Sequence, residues 1–419
     1  MKTRLLLLLL LASTISFAQN WSQVGAAQFT GFTSGGAITT HPTTGEVYIA
    51  IVDPLSTSKI SVQKFDGTNW IAQGAVFGVN AGNVAIEINP NTNQPIVAYR
   101  DIGDSTLYVY SFNGTSWTLD FNQNKTLIDH KVQIQFNTTG DFRVSGFGTD
   151  ERFAIVEKNS SGSITNIAQS KYASGVNNSI FDYNSYEKYF IANKVPQGSV
   201  WNISKLSVSG FGIDYTINPG TFGSNGQQII LSNVSGIPDD NYVAAYDIVN
   251  VHNPTTNATE PANQVVIYNG ITEVKRIEAA NNIVQFRKNS VNNKMYIMYA
   301  EKSTEDIAVQ SYNSNTDQWS NLPSTGINSN TAGFFINMVI DKVNGNLYVL
   351  YLDGVKASVK KYSILAPVNQ AIAYVNENSP NASGNGSSWA NANPSLKNTL
   401  ENLGCLLYTS DAADDLLCV

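Results

Sequence analysis

Cysteine, histidine and charge are scarce in this chain of 419 residues, which has two cysteines, three histidines and only 14% charged residues. Both cysteines, Cys405 and Cys418, lie close to the C-terminus, so the preceding chain has no thiol for a disulfide or a nucleophile. The histidines His41, His130 and His252 are far apart in sequence and lack metal-ligand spacing. We therefore predict no metal site and no other cofactor.

Basic clusters and long apolar runs are also missing. A formal net charge of −7 without a basic cluster argues against binding to nucleic acid or to anionic membranes. The longest apolar run, Leu5–Leu11, is too short for a transmembrane helix. It follows two basic residues and precedes small residues that end at Ala18, which is the order of a secretory signal peptide over residues 1–18. We expect an exported protein, secreted or at the cell surface, after cleavage near Ala18.

A repeat dominates the remaining sequence. Trp21, Trp70 and Trp117 begin similar stretches and are spaced about fifty residues apart. A second recurring element is apolar and ends at an acidic or polar residue. Its seven copies are GEVYIAIVD (45–53), NQPIVAYRD (93–101), GDFRVSGFGTD (140–150), YEKYFIANK (186–194), DNYVAAYD (240–247), NKMYIMYAE (293–301) and GNLYVLYLD (345–353).

Each copy stands between other short apolar stretches and hairpin turns such as Asp66-Gly67, so one repeat predicts four antiparallel strands. Seven such repeats predict an all-β fold, a seven-bladed β-propeller over residues 19–367. The last repeat has three strands, and we expect residues 21–25 to supply its fourth and close the ring. The alternative fold is a pair of β-sandwiches. The polar insertion at 248–264 is expected to form a protruding loop.

The spacing of tyrosine and tryptophan resembles that of kelch-like repeats, although the double glycine of those repeats is absent. Beyond the ring, residues 368–404 resemble the leading segment of exported right-handed parallel β-helix domains, in the motifs Tyr374-Val375-Asn376 and Ser388-Trp389-Ala390. The resemblance implies a β-helix whose coils are truncated. Residues 405–419 resemble a translated sequencing adapter, and we expect them to be an artefact at the end of a fragment.

Candidate ligand-binding residues follow the second strand of most repeats, in loops expected on one face of the disc. The acids are Asp53, Asp101, Asp150, Asp247, Glu301 and Asp353. They could bind a cation or polar ligand, or each could accept hydrogen bonds within its own turn, which is the interpretation we favour. Loop residues Arg152, Trp201 and His252 complete the set. Trp201 could stack on a sugar or fill space between blades, and His252 could be a polar loop residue.

A binding function is the interpretation that these features favour. No Gly-x-Ser-x-Gly motif occurs, and no pair of carboxylates stands out for glycoside hydrolysis. We expect a monomeric propeller that binds a polysaccharide or a cell-surface protein, as a recognition module of a larger surface protein. One alternative is a polysaccharide-active enzyme, with its chemistry on the propeller face or in the β-helix. The other is a structural or adhesive surface protein.

Overall fold

The structure, a computed structural model, describes most of the repeat region. The described residues are 21–123, 132–137, 139–147, 153–170, 180–185, 188–194, 201–207, 212–217, 230–233, 242–253, 258–330, 336–364, 378 and 392–395. The expected signal peptide and the adapter-like tail lie outside these ranges. Most of the β-helix-like segment does so too, although Ala392 and Asn393 within it are buried.

The strands form antiparallel sheets in chain order, which we group into units of four. A short strand β1 (Ser22–Gln23) precedes them. Unit 1 contains β2 (Gly35–Thr40), β3 (Val47–Asp53), β4 (Lys59–Phe65) and β5 (Trp70–Ala72), with a 3₁₀ turn at Pro54–Ser56. Unit 2 contains β6 (Ala81–Ile88), β7 (Pro95–Asp101), β8 (Leu107–Phe112) and β9 (Trp117–Gln123). Unit 3 contains β10 (Gln133–Phe136), β11 (Phe142–Phe147), β12 (Phe153–Lys158) and β13 (Ile164–Ser170).

The second half of the chain continues this order. Unit 4 contains β14 (Ile180–Ser185), β15 (Lys188–Lys194), β16 (Trp201–Ser207) and β17 (Gly212–Ile217). Unit 5 contains β18 (Ile230–Asn233), β19 (Tyr242–Asn253), β20 (Ala258–Asn269) and the first part of β21 (Thr272–Lys288). Unit 6 contains the rest of β21, with β22 (Met295–Glu301), β23 (Ile307–Asn313) and β24 (Gln318–Asn321). Unit 7 contains β25 (Asn337–Ile340), β26 (Leu347–Asp353) and β27 (Lys356–Tyr362).

The N-terminal strand completes the sheet of unit 7. Strand β1 pairs antiparallel with β27, and Ser22 lies opposite Lys361. The chain then continues along the same strand, where the Val24 amide donates to the Val359 carbonyl at 2.9 Å. The two ends of the repeat region are therefore joined in one sheet.

One expectation about unit 5 is wrong. Residues 248–264 were expected to form a loop, but strands β19 and β20 extend through them as a hairpin, paired as far as Asn253 opposite Ala258. Asn, Thr and Pro are usually found in turns, so local propensity predicted a loop. Pairing of two adjacent strands satisfies the backbone groups of the insertion and outweighs that propensity.

The second strands of units 1, 2, 6 and 7 are buried on both faces, as β3 shows, because their sheets lie between neighbouring sheets. In β3, Ile49 and Ile51 pack with unit 7 residues such as Leu350. The alternating Ala50 and Val52 pack with unit 2 residues. This explains why the second strands are apolar without interruption instead of alternating with polar residues. The first strands of neighbouring units also contact each other at the junctions of units 7 and 1, 1 and 2, 2 and 3, 4 and 5, 5 and 6, and 6 and 7.

The turns between first and second strands also join neighbouring units. In units 1, 6 and 7 the turn begins with a buried polar residue, namely His41, Asn289 and Asp341. Asn289 accepts a hydrogen bond from the Val291 amide and donates through Nδ2 to the Gly345 carbonyl of unit 7 at 2.7 Å. Gly345 has φ +74° and lies against the Asn289 side chain, so a larger residue there would be strained and would clash.

Candidate functional site

The end of the sheets that carries the predicted acids is the first candidate site. We name it the turn face and define it by the turns between second and third strands, with the connectors beside them. In the described chain these turns are residues 53–59, 101–107, 301–307 and 353–356. These turns carry the acids predicted for units 1, 2, 6 and 7. In an antiparallel sheet successive turns alternate between the two ends, so the turns after the second strands lie at the same end in every unit.

The acids on these turns accept hydrogen bonds from their own turns. Asp53 Oδ1 accepts the Leu55 amide at 2.9 Å, and Asp101 Oδ1 accepts the Gly103 amide at 2.7 Å. Asp101 is only 5% exposed. Glu301 Oε2 accepts the Thr304 hydroxyl at 2.9 Å. Asp353, by contrast, closes a two-residue turn opposite Lys356. The contacts of Asp53, Asp101 and Glu301 fit the structural interpretation, and a ligand role for the four acids stays a prediction.

The other candidate residues are less fully described. Asp150 and Arg152 lie outside the described residues. For the remaining three the structure gives the strand position without the side chain. Trp201 begins β16 opposite Lys194, Asp247 lies in β19 opposite Gln264, and His252 lies in β19 opposite Thr259. His252 and Trp201 were expected in loops, and the structure places both in strands.

Apolar side chains are exposed on the turn face, a feature that was not predicted from the sequence. Leu55 is 78% exposed, Ile102 56% and Val355 49%. Two more exposed apolar residues, Phe32 and Val79, lie in the connectors beside these turns. The amide of Thr33, next to Phe32, donates to the Val355 carbonyl at 2.9 Å. Val79 lies next to Asn80, whose carbonyl accepts the Ile102 amide at 2.9 Å. These bonds place Phe32 near Val355 and Val79 near Ile102 on the turn face.

A half-buried acid near the opposite end of the first strands was also missed. Glu87 in β6 accepts a hydrogen bond from the Thr39 hydroxyl of unit 1 at 3.0 Å. Burial raises the pKa of the Glu87 carboxyl, and Lys342, the Thr39 hydrogen bond and Arg287 offset part of this rise. The sequence gives no signal for Glu87, because the residues two positions before the turn differ in polarity from unit to unit, namely Thr39, Glu87, Gln135, Arg287 and Val339.

Metal and membrane features were searched in the same residues. Within the described ranges, no three His, Cys, Asp or Glu side chains come close enough together to hold a metal ion. His41 instead serves its turn, since its Nδ1 accepts the Thr43 amide at 3.3 Å and its ring is buried. None of the described segments forms a helix of the length and hydrophobicity that crossing a bilayer requires.

Neither a protein-family model nor a curated protein matches the sequence. Solved structures do match. The WD40 domain of coronin from Toxoplasma gondii is 11% identical, with 84% of this chain and 88% of that chain covered and a TM-score of 0.54. The propeller domain of the trilobed protease from Pyrococcus furiosus is 10% identical, with 79% and 95% covered and a TM-score of 0.45.

A lectin of Aleuria aurantia, solved in complex with α-methyl-L-fucoside, is 14% identical. The match covers 73% of this chain and 99% of the lectin, with a TM-score of 0.44. At these identities a likeness concerns the fold alone. The consecutive antiparallel sheets, five of them four-stranded in the described chain, and the likeness to the coronin domain together show that this chain is a β-propeller.

Proposed function

We propose that the chain is an exported propeller that serves as a binding module of a larger surface protein. Residues 19–367 form one closed ring of seven units, and residues 1–18 are the signal peptide. Residues 368–404 lead into a β-helix, and residues 405–419 are foreign to the protein. The pairing of β1 with β27 and the contacts between neighbouring first strands support the ring.

The exposed apolar residues of the turn face carry the proposal. Soluble monomers rarely leave adjacent aliphatic and aromatic side chains in water unless the surface binds a partner. Leu55, Ile102 and Val355 stand on turns that side-chain and backbone hydrogen bonds hold in place. A rigid scaffold with protruding turns is a common site of recognition. Because the protruding groups are apolar, the ligand of this face is a protein surface.

The test uses the mature chain with three substitutions on the turn face, Leu55→Asp, Ile102→Asp and Val355→Asp. Wild-type protein is expected to capture a cell-surface protein from source cells, which mass spectrometry identifies and biolayer interferometry titrates as purified partner. The triple variant is expected to bind at least about a hundredfold more weakly, since it places three charges in an apolar contact.

The matched control is Ile271→Asp. Ile271 is 72% exposed in the turn between β20 and β21, at the other end of the strands. The control adds a similar charge to a similarly exposed position and is expected to bind like wild type. Equal binding by wild-type protein and the triple variant contradicts the proposal, and so does a wild type that captures nothing.

A further inference from the structure

Neighbouring units are joined by a repeated aromatic pair. In units 1 and 2 the last residue of the third strand lies opposite the tryptophan that begins the fourth. In unit 6 the residue before the last, Tyr312, lies opposite Trp319. Their rings are in contact, with centroids 5.3 Å apart for Phe65 and Trp70, 5.1 Å for Phe112 and Trp117, and 4.5 Å for Tyr312 and Trp319. In unit 7 Trp21 meets Tyr362 at 5.4 Å.

Each pair of units 1 and 2 fills the junction with the preceding unit. Trp117 Nε1 donates to the Gln73 carbonyl of unit 1 at 2.6 Å. The next residue, Gly74, has φ +72°, and a Cβ there would lie 3.0 Å from Phe112. Trp70 and Gly25 repeat this arrangement between units 1 and 7. At each of these junctions a glycine of one unit therefore packs against the two aromatic rings of the next unit.

Unit 3 departs from this rule. Lys158 ends its third strand and lies opposite Ile164, so neither aromatic ring is present. On unit 2, Asp120 and Phe121 stand where unit 1 has Gln73 and Gly74, three and four residues after the tryptophan. An ion pair between Lys158 Nζ and Asp120 Oδ1 takes the place of the ring packing. Asp120 Oδ2 accepts the Ser111 hydroxyl at 3.1 Å.

The missing rings leave a cleft of 330 Å³ between units 2 and 3. It lies at the end of the strands opposite the turn face. The ion pair bounds the cleft on the outer side, and on the inner side Asn91 Nδ2 donates to the Thr139 carbonyl at 3.0 Å. Phe142 and Ile96 supply apolar wall, and Gln94 and Ser160 supply polar groups. Both units therefore contribute polar and apolar groups to one open cleft.

We infer that this cleft binds one neutral sugar ring of a glycan. A carboxylate, an ammonium group and side-chain amides can accept from and donate to the hydroxyls of a pyranose. The paired charges of Asp120 and Lys158 cancel, so an uncharged ligand fits better than an anion or a cation. Phe142 and Ile96 offer apolar surface to the C–H groups of the ring. The volume stands near the lower end for small-molecule sites, which suits a single ring.

The test titrates the mature chain with methyl glycosides of glucose, galactose, mannose and fucose by calorimetry. We expect at least one glycoside to bind wild-type protein. Asp120→Asn removes the charge at constant size and is expected to weaken binding about tenfold. Ser160→Trp places an indole at the rim of the cleft, where Ser160 is exposed. That variant is expected to abolish binding without touching the ion pair.

The matched control is Lys64→Gln, which breaks the Lys64–Glu46 ion pair of unit 1 at similar exposure. It is expected to bind glycosides like wild type. Thermal unfolding checks that each variant folds, and Ser160→Trp decides the outcome if Asp120→Asn does not fold. Failure of all four glycosides to bind, or undiminished binding by the folded variants, overturns the inference. The triple variant of the turn face should keep glycoside binding, so this inference and the protein-binding proposal can fail separately.

Discussion

Glu87 is a single carboxylate in a strand whose flanking residues, Ile86 and Ile88, are buried. Since burial raises the pKa of its carboxyl, the folded protein retains a proton that the unfolded chain releases as pH rises above 4.5. The folded state therefore loses stability with rising pH between 4.5 and the higher pKa of the folded state. The destabilisation by ionised Glu87 is therefore complete above that pH range and absent below it.

The substitution Glu87→Gln should therefore stabilise the protein at pH 7. An amide keeps an oxygen that can accept the Thr39 hydrogen bond and carries no charge to desolvate. Urea unfolding across a pH series is the measurement, and the advantage of the variant should disappear as pH falls to 4.5. A variant that is less stable than wild type at pH 7 contradicts this account.

Glu46→Gln is the control, because the pKa of Glu46 is shifted in the direction opposite to that of Glu87. Partial burial raises the pKa of Glu46, but the hydrogen bonds from Lys64 and Thr44 lower it by more, so the pKa lies below its ordinary value. The folded state thus gains stability from the ionised group above the ordinary pKa and loses it as pH falls. Glu46→Gln should be less stable than wild type at pH 7 and should converge with it in acid.

The acids of the turns and the acid of the first strand differ in how far they could be predicted from sequence. Asp53 and Asp101 were predicted because an Asp after a strand bonds the next backbone amides, which is a local requirement. Glu87 was missed because its partner Thr39 is a residue of another unit. Which strand face meets which neighbour depends on the assembled ring, and no local pattern states it.

At the scale of elements, the tryptophan at the start of the fourth strand joins its unit to the preceding one. Trp117 stacks on Phe77 of the preceding connector at 4.5 Å and also contacts Phe112. Its indole N–H reaches a backbone carbonyl of unit 1. The residues that marked the repeat in the sequence are therefore those that hold consecutive units together.

Substitutions at Trp117 should separate these contributions. Trp117→Ala is expected to cost about 3 kcal/mol, the low end for deleting an aromatic side chain, because Trp117 is only partly buried. Trp117→Phe keeps a ring and loses the N–H bond, at a cost of about 1 kcal/mol. Leu119→Ala, at an exposed position of the same strand, should cost under about 0.5 kcal/mol. Chemical denaturation measures all three, and equal losses for Trp117→Ala and Leu119→Ala would refute the role of the ring.

Elements with this aromatic pair were the ones most readily predicted from sequence. Units 1, 2, 6 and 7 combine tryptophan, hairpin turns and apolar second strands, and their strands were recognisable in the repeat. The hairpin of β19 and β20 was not, because pairing between strands overrides the turn propensity of its residues. The cleft was missed too, since the significance of Lys158 depends on Asp120 across the junction.

At the scale of the whole molecule, the N-terminal segment contacts both units 6 and 1 as well as its own sheet. Trp21 Nε1 donates to the Pro323 carbonyl of unit 6 at 3.0 Å. Phe29 stacks on Trp70 of unit 1 at 4.5 Å, and its amide donates to the Ala357 carbonyl of unit 7. The N-terminal segment therefore contacts units 6, 7 and 1.

Deletion of residues 19–34 should therefore destabilise the entire ring. Loss of β1 exposes the edge of β27 and removes the packing partner of Trp70. We expect the unfolding temperature to fall by at least about 8 °C, which corresponds to several kcal/mol for a domain of this size. A synthetic peptide of residues 19–34 should restore the lost stability when added in excess. An unchanged unfolding temperature would show that the propeller does not depend on this closure.

The antiparallel register of β1 and β27 also decides how the molecule answers mechanical force. Ser22, near the start of β1, lies opposite Lys361, near the end of β27, so Trp21 and Ile364 leave the sheet at the same end. Tension applied between these residues loads the interstrand hydrogen bonds one after another and peels the strands apart. A parallel register would have loaded them together in shear. Under tension we therefore expect β1 to separate from β27 at low force, before the other sheets are stretched.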